Sequence, residues 1–245
     1  MNQAKMMTMR MRSMIMNKKF LTYAFNSEKK LVYIGSVKNG LECGCICPGC
    51  KENLVAKNDG KIREHHFSHK SNTDCVSGFQ TMIHLLAKDI IFETKLLPLA
   101  QNGRLIVASD VKLEVNLEKL KIIPDILATV YLVLNNQITI PVPFIVEIYV
   151  THKVEEEKAN VIKNAGIPAV EIDLSNSTAS TKEQLFQEIY NPKNWKIINK
   201  DIGSQFLPRI QIPATALLNA YRAVCVQPSH RNSRNQFYRR NYRKR

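Results

Sequence analysis

The spacing of apolar and polar positions changes period along the chain, and the changes mark out its elements. Residues 19–38 read as two short strands joined over the polar stretch Asn26 to Lys30. Residues 54–57 and 61–68 read as a second hairpin, closed at Asn58-Asp59-Gly60 because Asp-Gly suits a tight reversal. At Phe79 the period becomes helical. Phe79, Ile83, Leu86, Ala87, Ile90 and Ile91 recur on one face and predict a helix over 79–96. Strand-like runs follow at 104–109, 111–115, 122–134 and 138–151. A helix over 155–165 then ends at Gly166, a C′ glycine with Pro168 just beyond it. Residues 169–174 predict a strand and 182–190 a last helix. The order helix, β-meander, helix, strand, helix predicts an α/β (α+β) protein built on a central sheet.

Charge sharpens this division. The 245-residue chain carries a formal charge of +14. Residues 1–30 hold seven Lys/Arg against Glu28 alone, and residues 202–245 hold nine Arg/Lys and no acid. Residues 31–201 contain 19 basic and 20 acidic side chains, a net of −1. The globular part is neutral, so the basic character belongs to the ends. Four segments result: a basic N-terminus at 1–18, a zinc-ribbon-like module at 19–76, a core at 77–200 and a basic tail at 201–245. The first segment holds seven of the eight methionines and no signal-peptide-like apolar stretch, and an over-extended start, with translation from Met14 or Met16, is one reading of it. In the tail, Phe237, Tyr238 and Tyr242 lie among arginines, a pattern suited to phosphate contact and base stacking, although too poor in aliphatic residues to fold alone. No run reaches the ~18 apolar residues of a membrane span, and clustered cysteines without a secretory signal indicate the reducing cytoplasm.

The cysteines suggest a metal. Cys47-Pro48-Gly49-Cys50 supplies two sulfurs from one tight turn, and His66-x-x-His69 follows after fifteen residues, about one hairpin later. Cys47, Cys50, His66 and His69 therefore form the first candidate ligand set for a structural Zn2+, with Cys75 as a rival for one histidine's place. Cys43, Cys45 and Cys47 alternate and would stand about 6.6 Å apart on one strand face, which leaves Cys43 and Cys45 as spares. An iron–sulfur site built from the four clustered cysteines would leave the histidine pair unexplained.

The second constellation lies in IIPDILATVYLVLNNQITIPVPFIVEIYV. A hairpin closed near Asn136 places Asp125 and Glu147 equal distances from the turn, so they oppose each other across two strands. Opposed carboxylates repel unless a cation joins them, and Mg2+ or Mn2+ shared with a phosphate oxygen is a standard partner. Solvation at a sheet edge, with Pro141 and Pro143 bulging the register, is the competing reading.

Pro124-Asp125 with Glu147-Ile148-Tyr149 on the next strand resembles the PD-(D/E)xK nuclease core. Together with Cys-Pro-Gly-Cys at 47–50, His-Phe-Ser-His at 66–69, Cys75 and a following helix bearing His84 and Lys88, residues of about 35–175 are similar to the competence protein CoiA-like nucleases. The resemblance implies a restriction-endonuclease-like core, a zinc-finger-like module ahead of it, and Asp125 and Glu147 as ligands of a catalytic Mg2+ or Mn2+ acting on DNA, single-stranded DNA included. Gln80, Thr81, His84 and Lys88 share a helix face. Tyr149 departs from the pattern, standing where the lysine is expected. Lys158 and Lys88 are candidates to replace that lysine, and His84 or a lysine would position phosphate or water. The function expected is a Mg2+-dependent endonuclease-like phosphodiester hydrolase. The alternative is a catalytically inactive DNA-binding or DNA-processing module on the same fold, and a metal site at Glu64-His65-His66 is a third and weaker reading. No phosphate-binding glycine loop, nucleophile elbow or dinucleotide fingerprint is present.

Overall fold

The computed structural model describes residues 19–71, 75–99, 104–134 and 138–199. The two basic ends and the turn residues 135–137 lie outside this range. The described residues form two compact units, 19–82 with 178–181 and 83–177 with 182–199. Among these residues the architecture is mixed α/β, with three α-helices described and a five-stranded sheet as the largest described element.

The first unit is built from two small hairpins. Strands β1 (Tyr23–Phe25) and β2 (Leu31–Tyr33) pair antiparallel around the Asn26–Lys30 turn, as the alternation predicts. Asn26 closes that turn by accepting the Glu28 and Lys30 N–H groups on its side-chain oxygen. Strands β3 (Leu54–Lys57) and β4 (His66–His69) pair antiparallel with Lys57 opposite His66 and Leu54 opposite His69. Here the tight Asp-Gly reversal is not formed. Residues 58–65 make a longer loop, because Asn58 turns inward to donate to the Ile34 and Val37 carbonyls and Gly60 lacks the positive φ that a tight hairpin turn requires.

In the second unit the sheet order is β11-β10-β9-β8-β7. It comprises β7 (Asp110–Leu113), β8 (Ile126–Leu134), β9 (Ile138–Tyr149), β10 (Ala169–Asp173) and β11 (Trp195–Asn199). Strands β7, β8 and β9 form an antiparallel meander, β10 returns parallel to β9, and β11 closes the edge antiparallel to β10. A further hairpin, β5 (Leu96–Leu99) with β6 (Arg104–Val107), stands outside this sheet. Strands β5 and β11 are absent from the sequence reading. The run expected to begin at residue 122 becomes strand only at Ile126, since Pro124 has no N–H to give and Ile122 bridges back to Leu117.

The β8–β9 register runs unbroken from Ile126 opposite Val146 to Leu134 opposite Ile138. Pro141 and Pro143 cause no bulge. They share the parity of Ile145, whose N–H points away from β8 to the Pro168 carbonyl, so the missing donors fall on the side β8 does not use.

Helix α1 (Val76–Thr94) begins in the first unit and continues into the second. Helix α2 (Glu156–Asn164) ends as the sequence predicts. Gly166 adopts a φ of 67°, and the Gly166 and Ile167 N–H groups cap the Lys163 and Ile162 carbonyls. Helix α3 is Lys182–Ile189. Helix α2 is mostly polar and is anchored by Ile162, its single buried residue, in a core of Ile122, Ile145, Ala169 and Ile198. Replacing Ile162 with alanine should cost about 2–5 kcal/mol in denaturant unfolding; a loss below about 1 kcal/mol would show that α2 is held by something else.

Candidate functional site

The metal cluster lies wholly in the first unit. One ligand atom from each of Cys47, Cys50, His69 and Cys75 falls within 4.8 Å of all the others. Cys47 Sγ to Cys75 Sγ is 3.9 Å, and Cys50 Sγ to His69 Nε2 is 3.3 Å. A tetrahedral zinc with ordinary bond lengths requires separations of about 3.8 Å between sulfurs and about 3.6 Å between sulfur and nitrogen. The donor set and spacing therefore fit a zinc ion with four protein ligands, a closed structural site.

His66 is not part of this cluster. Three residues apart on a strand, His66 and His69 point to opposite faces, and of the two only His69 is buried, in the cluster with Cys47. His66 instead stacks near Phe20, with ring centroids 5.1 Å apart, and its Nδ1 lies 2.8 Å from the Glu64 carbonyl. Cys75, just ahead of α1, takes the fourth place. Cys43 and Cys45 stay outside, with the Cys45 thiol donating to the Cys43 carbonyl at 3.4 Å.

Two glycines permit the cluster to close. A Cβ on Gly78 would sit 2.7 Å from Cys47 Sγ, and a Cβ on Gly49 would sit 2.7 Å from the Gly78 backbone nitrogen. Burial pushes the Cys47 thiol up to about 12, whereas hydrogen bonds from Ser77 and the Gly78 N–H, together with its sulfur neighbours, outweigh burial at Cys75 and lower its pKa. Since a metal takes thiolates, loading this site releases protons.

The second constellation lies wholly in the second unit. Extending the β8–β9 register by one residue sets Asp125 opposite Glu147. The Asp125 carboxylate takes His84 Nε2 at 3.1 Å on Oδ1 and the Ile148 N–H at 2.9 Å on Oδ2, and Lys88 Nζ lies 3.8 Å from Oδ1. His84 and Lys88 are one helical turn apart on α1, so both reach the same acid. Gln80 and Thr81, on the preceding turn, belong to the first unit.

Glu147 is 4% exposed. Lys158 of α2 brings its ammonium to 2.7 Å from Glu147 Oε1 while donating to the Ile123 carbonyl at 2.9 Å. The contact with Glu147 is an ion pair outside good hydrogen-bond geometry, so the Lys158 charge is the close partner of the buried Oε1. Two carboxylates set side by side in this way are a donor set that fits a divalent cation.

The two acids titrate in opposite directions. Burial is the largest influence on Asp125 and would raise it, but the His84 hydrogen bond and charge, the Lys88 charge and the Ile148 N–H together hold it below the usual carboxylate range. Burial, reinforced by the charge of Asp125, pushes Glu147 up to about 7 against the pull of Lys158.

Two acids absent from the sequence reading complete the surroundings. Glu114, after β7, accepts Lys88 at 2.7 Å. Glu171 stands beside Glu147 on the parallel strand β10, is 2% exposed, and accepts the Val154 N–H at 2.8 Å just ahead of α2. A polar residue inside the apolar run Ala169–Leu174 was the available signal for Glu171.

Two predictions follow from these geometries. Elemental analysis of purified protein should find one zinc per chain, retained in His66→Ala and lost in Cys75→Ser; loss in His66→Ala would restore the two-histidine site. For pH, Glu147 has a folded pKa raised above its ordinary 4.5, so its contribution to stability is present below 4.5 and is lost as pH rises through about 7. Asp125, being depressed, keeps its contribution throughout that window. Without added Mg2+ or Mn2+, the parent should lose on the order of 3 kcal/mol more than Glu147→Gln between pH 4.5 and 8. Parallel stability curves would contradict a raised Glu147.

Residues 37–78 match the family model described as competence protein CoiA, N-terminal domain. No curated protein and no solved structure matches the chain. The matched stretch contains Cys47, Cys50, His69 and Cys75, the full cluster, and supports a CoiA-like family protein.

Proposed function

We propose that this chain is a Mg2+-dependent endonuclease-like protein that hydrolyses DNA phosphodiester bonds on a restriction-endonuclease-like core, in a competence-related role suggested by its CoiA-type N-terminal domain. The observation that carries the reading is the opposed pair Asp125 and Glu147 with the Lys158 ammonium 2.7 Å from Glu147. Tyr149 cannot supply a cation to this site, and Lys158 brings one to the same acid from α2. The order of α1, the β7–β9 meander, α2 and the parallel strand β10 also supports this reading.

Asp125 and Glu147 would hold the divalent cation. When bound, Mg2+ or Mn2+ would supply Lewis-acid activation of a water and neutralise charge on the phosphoryl oxygens. His84 and the Ile148 N–H fix the orientation of Asp125, and the His84 hydrogen bond and charge, aided by the more distant Lys88 charge, favour its ionised form. Lys158, about three-quarters buried and held by the Ile123 carbonyl, would donate to an attacking water or to a non-bridging phosphate oxygen. His84, whose ring is partly exposed, would be the second group to contact phosphate.

A second reading keeps the fold and DNA binding without catalysis. It is favoured by Tyr149 and by the fact that both acids are already engaged by this chain's own cations.

Purified protein with Mg2+ or Mn2+ should cleave single- or double-stranded DNA. Asp125→Ala and Glu147→Ala should each lower the rate by about 100-fold or more, and Lys158→Ala by a comparable factor. DNA left intact, with Asp125→Ala binding the metal as well as the parent does, would sink the nuclease reading. DNA retained without cleavage would favour the binding module.

A further inference from the structure

Lys88 is among the most deeply buried side chains of the second unit, 2% exposed, and a buried ammonium requires an anion. It has two, at unequal distances. Its Nζ is 2.7 Å from Glu114 Oε1 and 3.8 Å from Asp125 Oδ1. Glu114 reaches it by leaving the strand pattern. Along β7, Val111 and Leu113 are buried while Asp110 and Lys112 are exposed, so an extended Glu114 would follow the exposed set. It adopts instead a left-handed φ of 50°, unfavourable for a residue with a Cβ, although its N–H still donates to the Asp125 carbonyl at 3.1 Å. The strained backbone and the short ionic contact occur in one residue, directly beside the acid proposed to bind metal.

We propose that Glu114 is a positioning residue that holds the Lys88 ammonium off Asp125 and so leaves Asp125 available to a divalent cation. The inference rests on the metal-site reading above. The ammonium and the cation compete for the same oxygen, Oδ1, which His84 also approaches at 3.1 Å. With the charge of Glu114 removed, Asp125 becomes the remaining anion within reach of Lys88, and the ammonium closes the gap. Glu114 thus prevents a self-inhibiting ion pair within the site. A scaffolding role alone would not predict that removing Lys88 repairs the loss of Glu114.

The test is Mn2+ binding by calorimetry at fixed pH on the full chain with its zinc cluster loaded. The proteins compared are the parent, Asp125→Ala, Glu114→Gln and the double variant Glu114→Gln/Lys88→Met. Glu114→Gln should weaken the Asp125-dependent binding about tenfold, and adding Lys88→Met should bring it back to within about twofold of the parent. Should Glu114→Gln fail to fold, Glu114→Asp, which keeps the charge on a shorter arm, should show a smaller loss that Lys88→Met again reverses. Parent-like binding in Glu114→Gln, or a double variant as weak as the single one, overturns the inference. A parent that binds no Mn2+, or binding unchanged in Asp125→Ala, overturns the metal-site reading and this inference with it.

Discussion

Two carboxylates placed face to face by an unbroken strand register set the terms for the second unit. Directly opposed residues bring their Cβ atoms to about 5 Å, where two full charges at a protein-like effective dielectric repel by roughly 3 kcal/mol. The unit relieves this by giving each acid its own cations from a different helix. His84 and Lys88 of α1 serve Asp125, and Lys158 of α2 serves Glu147. The division is unequal. Asp125 accepts from His84 and the Ile148 N–H with the Lys88 charge 3.8 Å away, and its pKa is held low, while Glu147, with the Lys158 ammonium beside it, has its pKa raised by burial and by the charge of Asp125. A pair of acids pushed apart in this way keeps one permanent charge and one that responds to a cation.

The first unit solves a different problem with a different chemistry. Four soft or borderline donors converge within 4.8 Å, and burial makes the Cys47 thiol hard to ionise without a metal. Gly49 and Gly78 carry the steric part, since either Cβ would meet atoms at 2.7 Å. With four protein ligands, a metal such as zinc there would have no position left for substrate, and it would tie the Cys47–Cys50 turn, strand β4 and the start of α1 together. In the function proposed, catalytic chemistry falls to the carboxylates.

Local pattern carried much of this into view before the structure. The turn at Asn26 and the C′ glycine at Gly166 depend on residues close in sequence and are found as expected, and the β8–β9 register, symmetric about one turn, puts Asp125 opposite Glu147 when it is extended by one residue. What was not legible depends on parity or on distant pairing. Counting fifteen residues from Cys50 suggests two histidines, but a strand sends His66 and His69 to opposite faces, which no spacing rule for a helical or looped pair anticipates. Strand β11 has only five residues and pairs with β10 across helix α3, and Glu171 is placed beside Glu147 by a parallel crossover. The left-handed turn at Glu114 has no signature at all, because glutamate is not a residue that announces such a conformation.

The lysine absent at Tyr149 shows why offset along a strand is a poor guide to chemistry. Two residues beyond an acid on a strand means the same face and about 6.6 Å of separation, a distance that a lysine spans by folding back. An ammonium delivered from a helix can meet the same requirement, and in the function proposed Lys158 of α2, 2.7 Å from Glu147, does so. For this to be reproducible, the helix must be fixed at both ends of the lysine. Glu171 anchors the chain at Val154, four residues before Lys158, and Ile162 anchors it four residues after, in the core with Ile145 and Ala169. The position of the charge is therefore determined by a buried acid and a buried isoleucine, neither of which touches Glu147 through its own charge or carries any motif. A search for the motif lysine along β9 finds tyrosine, while the packing around α2 supplies the cation.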